Sequence, residues 1–94
     1  MNDAELARLR PSDGARYVLE LDISDNASAR YRAWVVTPSA AFAYSASLAP
    51  AAEPSLSAVA AAAPPEQLAR LTMFARLLAR SAPPWPHRIV RWRR

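Results

Sequence analysis

The sequence predicts an α+β fold: a three-stranded antiparallel meander packed by one major helix, with a short N-terminal helix and a C-terminal fourth strand. Three observations predict it. Residues 16–48 alternate between apolar and polar in three successive runs separated by turn residues. Residues 65–81 place apolar side chains at helical spacing behind a Pro-Pro pair. The closing stretch PPWPHRIVRWRR sets β-branched and aromatic residues after a proline-stiffened return. The 94 residues suit one small domain.

The elements follow in chain order. Asp3–Arg10 reads as two helical turns, with Asn2 or Asp3 as cap, Leu6 and Leu9 three apart, and Pro11 as the stop. Pro11-Ser12-Asp13-Gly14 is turn material and holds the only glycine. In Arg16–Ser24, Tyr17, Leu19, Leu21 and Ile23 share one face, opposite Glu20 and Asp22. After the turn residues SDNAS, Arg30–Thr37 sets Tyr31, Ala33 and Val35 against Arg30, Arg32, Trp34 and Val36. A turn at Thr37–Ala40 leads to a third run with Phe42, Tyr44, Ala46 and Leu48 on one side.

One register satisfies both faces of this meander. Pairing Leu21 with Tyr31 also pairs Leu19 with Ala33 and Tyr17 with Val35, while Asp22 meets Arg30 and Glu20 meets Arg32. A two-residue loop at Pro38-Ser39 then opposes Val35 to Phe42, Ala33 to Tyr44 and Tyr31 to Ala46.

Residues 49–63 are rich in alanine and proline and read either as a connector or as a short helix starting at Pro54. In the main helix, Leu68, Leu71, Phe74, Ala75 and Leu78 form a stripe that should cover the Tyr17/Leu19/Leu21 face. Met73 and Leu77 fall outside the stripe, beside Arg70 and Arg80, and are a candidate assembly contact. His87–Arg93 reads as a strand rather than a free arm. A helix returning directly from the third strand delivers it parallel to that strand, whereas a helical 54–63 segment reverses the direction.

Composition narrows the function. The apolar share is 52%, but 22 residues are alanine, so the core has few large side chains. All 12 basic residues are arginine. Residues 1–53 hold five arginines and seven acids, whereas residues 54–94 hold seven arginines and one acid, Glu66. A basic C-terminal half attracts nucleic acid, acidic lipid or acidic protein.

Catalytic chemistry has little to work with. There is no cysteine, one histidine (His87) and one glycine, so thiolate sites, phosphate-cradling loops and a GxSxG elbow are not available. Glu20 and Asp22 read as partners of Arg32 and Arg30 rather than as an acid–base pair. No catalytic residue, cofactor, metal ligand or small-molecule substrate is assigned, and the expectation is a non-enzymatic module. The N-terminus lacks a secretory signal, and the uncharged stretch Ala33–Ala52 is broken by Pro38, Pro50 and serines. The expectation is therefore a soluble cytoplasmic protein with no membrane partner.

Two functions remain. The first is binding or assembly, with a protein partner or a second copy. The second is nucleic-acid binding, through Arg30, Arg32 and Trp34 on the outer sheet face together with Arg88, Arg91 and Arg93 of the C-terminal strand.

Overall fold

A computed structural model describes residues 1–94. Helix α1 spans Asp3–Arg8, and strands β1 (Ala15–Ser24), β2 (Ala29–Val36), β3 (Ala41–Leu48) and β4 (Ser55–Ala58) follow. Helix α2 spans Pro65–Ser81 and strand β5 spans Arg88–Arg93. The five strands form one sheet in the order β4-β3-β2-β1-β5, and every neighbouring pair is antiparallel. The class is α+β, as the alternation and the helical stripe predict.

The inner hairpins keep the register that the sequence predicts. Tyr17 opposes Val35, Leu19 opposes Ala33 and Leu21 opposes Tyr31. Val35 opposes Phe42, Ala33 opposes Tyr44 and Tyr31 opposes Ala46. Glu20 opposes Arg32, but Asp22 does not meet Arg30, because Ile23 takes that place. The cause lies in the turn. Asp25 Oδ1 accepts the amides of Ala27 (2.7 Å) and Ser28 (2.8 Å), and Asp25 N–H donates to Ser28 O at 2.9 Å. This Asx-type turn sets Ser24 opposite Ala29, one residue out of step with Leu21 and Tyr31, and β1 absorbs the difference as a bulge at Asp22. Those two amide bonds hold the Asp25 carboxyl below the usual carboxylate range.

The stretch read as a connector or short helix contains a strand. Ser55–Ala58 pairs with β3, setting Leu56 opposite Ala46, and Leu56 packs against the core. Pro54 sits just before this edge strand, where its missing N–H costs no ladder bond. This reversal also fixes the C-terminal strand. With β4 running back along β3, α2 recrosses the sheet and β5 arrives antiparallel to β1 at the far edge. The sheet is therefore wholly antiparallel, not mixed.

Two apolar layers hold the fold. On the inner face, Leu71, Phe74, Ala75, Leu78 and Ala79 of α2 pack on Tyr17, Leu19, Tyr31, Ala33, Val35, Tyr44, Ala46 and Leu48. On the outer face, α1 lies over Val18, Trp34 and Val36 through Leu6 and Leu9, joined by Met1 and Val90. Asn2 caps α1 by accepting the Glu5 amide at 2.9 Å. Arg16 Nη1 donates to Leu9 O at 3.2 Å, tying the end of α1 to β1.

The proline-rich return is pinned rather than loose. Tyr31 Oη donates to Pro86 O at 2.6 Å, and Trp85 Nε1 donates to Asp25 O at 3.1 Å with its ring against Tyr31. Burial pushes the Tyr31 phenol up to about 12 from its ordinary value of 10.0. The neutral phenol is thus favoured by the folded state. Its contribution is complete below the unfolded pKa and is lost as pH rises from there through the folded one. Denaturant melts at pH 9 and above pH 11 should show wild type losing more stability than Tyr31→Phe over that interval. Equal losses would place the phenol in water.

Candidate binding face

The sequence-predicted site residues lie on two opposite faces. Arg30, Arg32, Trp34 and Arg88 belong to the outer face, whereas Arg91 and Arg93 lie on the helix side with Met73 and Leu77 of α2. This division follows from strand alternation: Ile89, which precedes Arg91 and Arg93 on the same side of β5, packs into the inner core, while Val90 packs under α1.

The outer face is partly covered and partly paired. Trp34 is 7% exposed, because α1 lies on its ring, so it presents no free face for stacking on a base. Arg88 Nε stands 3.3 Å from Glu20 Oε2, and Arg32 Nη2 stands 3.9 Å from Asp22 Oδ1. Arg30, freed by the bulge, has no carboxylate partner.

The helix-side flank differs. Met73 and Leu77 are 37% and 53% exposed. The flank of α2 that carries them reaches the end of β5. Arg70 Nη1 donates to Arg94 O at 2.7 Å, and the Arg93 guanidinium lies 5.2 Å from the Phe74 ring centroid. Arg70, Arg91 and Arg93 have no Asp or Glu partner. Arg70 stands three and seven residues before Met73 and Leu77, so the exposed Met–Leu pair shares a helix face with one of these arginines, while Arg91 and Arg93 lie on the same side of the sheet.

The free edge of β5 is closed by its own side chains. Leu21 N–H donates to His87 O at 2.8 Å, so the backbone groups of residues 87, 89, 91 and 93 point to β1. The groups of Arg88, Val90 and Trp92 therefore face outward. Arg91 Nη1 donates to Val90 O at 2.9 Å and Arg93 Nη1 to Trp92 O at 2.8 Å. Arginine heads cover the carbonyls that a docking strand needs.

Three clefts indent the surface, one of them minor. Of the other two, the larger, about 480 Å³, lies among Ile23, Asp25, Arg30, Leu48 and Glu53. Its acids are already engaged: Asp25 by backbone amides, and Glu53 by Arg76, whose Nε and Nη2 lie 3.2 and 2.7 Å from Oε2. That guanidinium holds the Glu53 carboxyl below its usual range. The smaller, about 290 Å³, lies between Gly14, Tyr17, Glu66, Gln67, Arg70 and Arg93. Two of its lining residues carry a buried polar atom without a protein partner, Tyr17 Oη and Gln67 Oε1. Sequence reasoning missed this cleft, because Tyr17 falls in the apolar stripe of β1 and reads as core. Only the approach of α2 and β5 reveals that its hydroxyl has no partner.

No helix is long and apolar enough to cross a membrane, and no group of three or more His, Cys, Asp or Glu residues is placed to hold a metal ion. Comparisons with protein-family models, curated proteins and solved structures find no match to this chain.

Proposed function

We propose that this chain is a non-enzymatic binding module that captures a protein segment bearing apolar and acidic side chains on the flank of α2 and β5. The observation that supports this reading is the exposure of Met73 and Leu77 on the helix face of Arg70, on the side of the sheet that carries Arg91 and Arg93, three arginines without an Asp or Glu partner. A partner burying the apolar pair gains about 25 cal/mol per Å² of apolar surface removed from water. Acids on that partner find the compensation that this chain does not supply, and they speed encounter. Methionine suits such a contact because its unbranched side chain adapts to a partner's shape.

Self-assembly through β5 has less support. Two copies paired edge to edge bring the arginines of both β5 strands together and require the Arg91 and Arg93 guanidiniums to leave the Val90 and Trp92 carbonyls. Nucleic-acid binding also has less support, since Trp34 is covered and Arg32 and Arg88 are engaged by acids.

Selection from a random peptide display library tests the reading. The expected consensus sets Leu or an aromatic next to Asp or Glu. The double variant Met73→Glu/Leu77→Glu should lose these peptides by tenfold or more while keeping its melting curve. Absence of any enriched consensus would overturn the proposal. A concentration-dependent mass in sedimentation would replace it with assembly. Preferential capture of labelled oligonucleotides, with a steep salt dependence, would replace it with nucleic-acid binding.

A further inference from the structure

We infer that the smaller cleft takes the C-terminal carboxylate of the bound polypeptide. This deepens the proposed function and rests on its claim that the ligand is a protein segment.

The first support is the pair of orphan atoms. Tyr17 is 0% exposed, and its hydroxyl finds no partner among the residues around it. Gln67 Oε1 is buried and equally unpartnered. Unmet buried polar groups are costly and uncommon, and two residues of this one cleft carry a polar atom to which the protein itself supplies no partner. Their chemistry differs in a useful way. A phenol hydroxyl donates to an anion, whereas an amide oxygen accepts only from a donor. An anion without a donor, such as acetate, satisfies the first and not the second. The end of a polypeptide satisfies both, because its carboxylate accepts from Tyr17 while its last amide N–H donates to Gln67.

Charge agrees. Arg70, Arg93 and Arg94 line the cleft with one acid, Glu66. Arg94 Nε is held by Asp13 at 2.8 Å, which leaves Arg70 and Arg93 as two cations without an Asp or Glu partner. Each uses one N–H on a main-chain oxygen, of Arg94 and Trp92, and a guanidinium has five. Size agrees as well. About 290 Å³ lies at the bottom of the range for ligand pockets, enough for a chain terminus and small for a nucleotide or cofactor. Position agrees too. Arg70 lines the cleft and shares a helix face with Met73 and Leu77, three and seven residues on, so a segment lying on that face reaches the cleft with its end.

The larger cleft has no such requirement, because its acids already have partners and it holds no orphan atom.

Titration of isotope-labelled protein tests the assignment. The probes are N-acetyl-Ala-Ala-Leu with a free carboxylate, the same peptide with a C-terminal amide, sodium acetate, and inorganic phosphate. The free-carboxylate peptide should shift the amides of Gly14, Tyr17 and Gln67, and the amidated peptide should leave them in place. Acetate and phosphate should bind at least several-fold more weakly than the peptide. Tyr17→Phe removes a hydroxyl that has no partner in the free protein, so the variant should fold normally and bind the peptide about tenfold or more weakly. Equal response to the amidated peptide, no response to any probe, or phosphate binding tighter than the peptide would each overturn the assignment. The Met73→Glu/Leu77→Glu variant separates the two proposals. Cleft shifts that persist in it, with display peptides lost, support both. Loss of the display peptides without any cleft shift in wild type leaves the face and removes the cleft.

Discussion

Truncating Leu71 to alanine should destabilise the fold by about 2–5 kcal/mol, the range for removing a fully buried leucine and leaving a cavity. Leu71 is 0% exposed and stands in the apolar layer between α2 and the sheet. Its neighbours cannot easily collapse into the space. Ala33, Ala46, Ala75 and Ala79 line the same layer, and each has only a methyl group to offer. The large inner side chains, Tyr17 and Tyr31, are held by the sheet, and Tyr31 is also tied to Pro86. Total stabilities of ordinary domains are about 5–15 kcal/mol, so one such loss approaches unfolding. Leu21 is only partly buried, and its truncation should cost less, near the bottom of the range. Urea melts of both variants measure the order. A Leu71→Ala protein that melts like wild type would mean that α2 does not pack on the sheet.

What was legible in the sequence was what periodicity and local chemistry determine. The strands β1 to β3 alternate strongly enough that one register satisfied both faces, and the two inner hairpins adopt it. Pro65, Glu66 and Arg80 mark the two ends of α2, and the helix occupies residues 65–81. β4 was not legible because SLSA carries one large apolar residue in four positions, too few to establish a period. Its pairing is supplied by β3, and Ala63 N–H is anchored by Tyr44 Oη at 2.7 Å, neither of which shows in local sequence. The direction of β5 depended on β4 and was lost with it. For the candidate site, alternation placed Trp34 on the outer face correctly, but only the docking of α1 determines that its ring is covered. Met73 and Leu77 were legible as departures from the helical stripe. The cleft was not, because an unpartnered hydroxyl is a property of what surrounds it.

Replacing Gly14 should loosen the C-terminal strand while the centre of the sheet holds. Gly14 has φ +69°, in the left-handed region where a side chain collides with its own backbone. That strain alone costs about 1–3 kcal/mol for a residue other than glycine. The surroundings add to it. A Cβ at this position falls on the carbonyl oxygen of Arg93 and comes within 2.8 Å of Arg94 Cα. Both are backbone atoms, so no side-chain rotation relieves the contact, and either the turn or the end of β5 must move. The turn is the less free of the two. Gly14 leads directly into β1, where Ala15 is 2% exposed and paired with Arg93, and Trp92 Nε1 donates to Asp13 O at 2.9 Å. The end of β5 has one neighbouring strand and open water on its other side, so it is the part that yields. Hydrogen exchange reads the outcome by residue. In wild type the amides of Arg91 and Arg93, which point to β1, should exchange slowly, and those of Val90 and Trp92 at the free edge should exchange fast. In Gly14→Ala the first pair should lose protection, while Ala33 and Val35 in the central strand keep theirs. A single loss of protection throughout the sheet would mean that β5 and the core unfold as one unit. Fast exchange at Arg91 and Arg93 in wild type itself would mean that RIVRWR is a loose arm, its arginines free to reach any acidic surface rather than fixed on the helix side of the sheet.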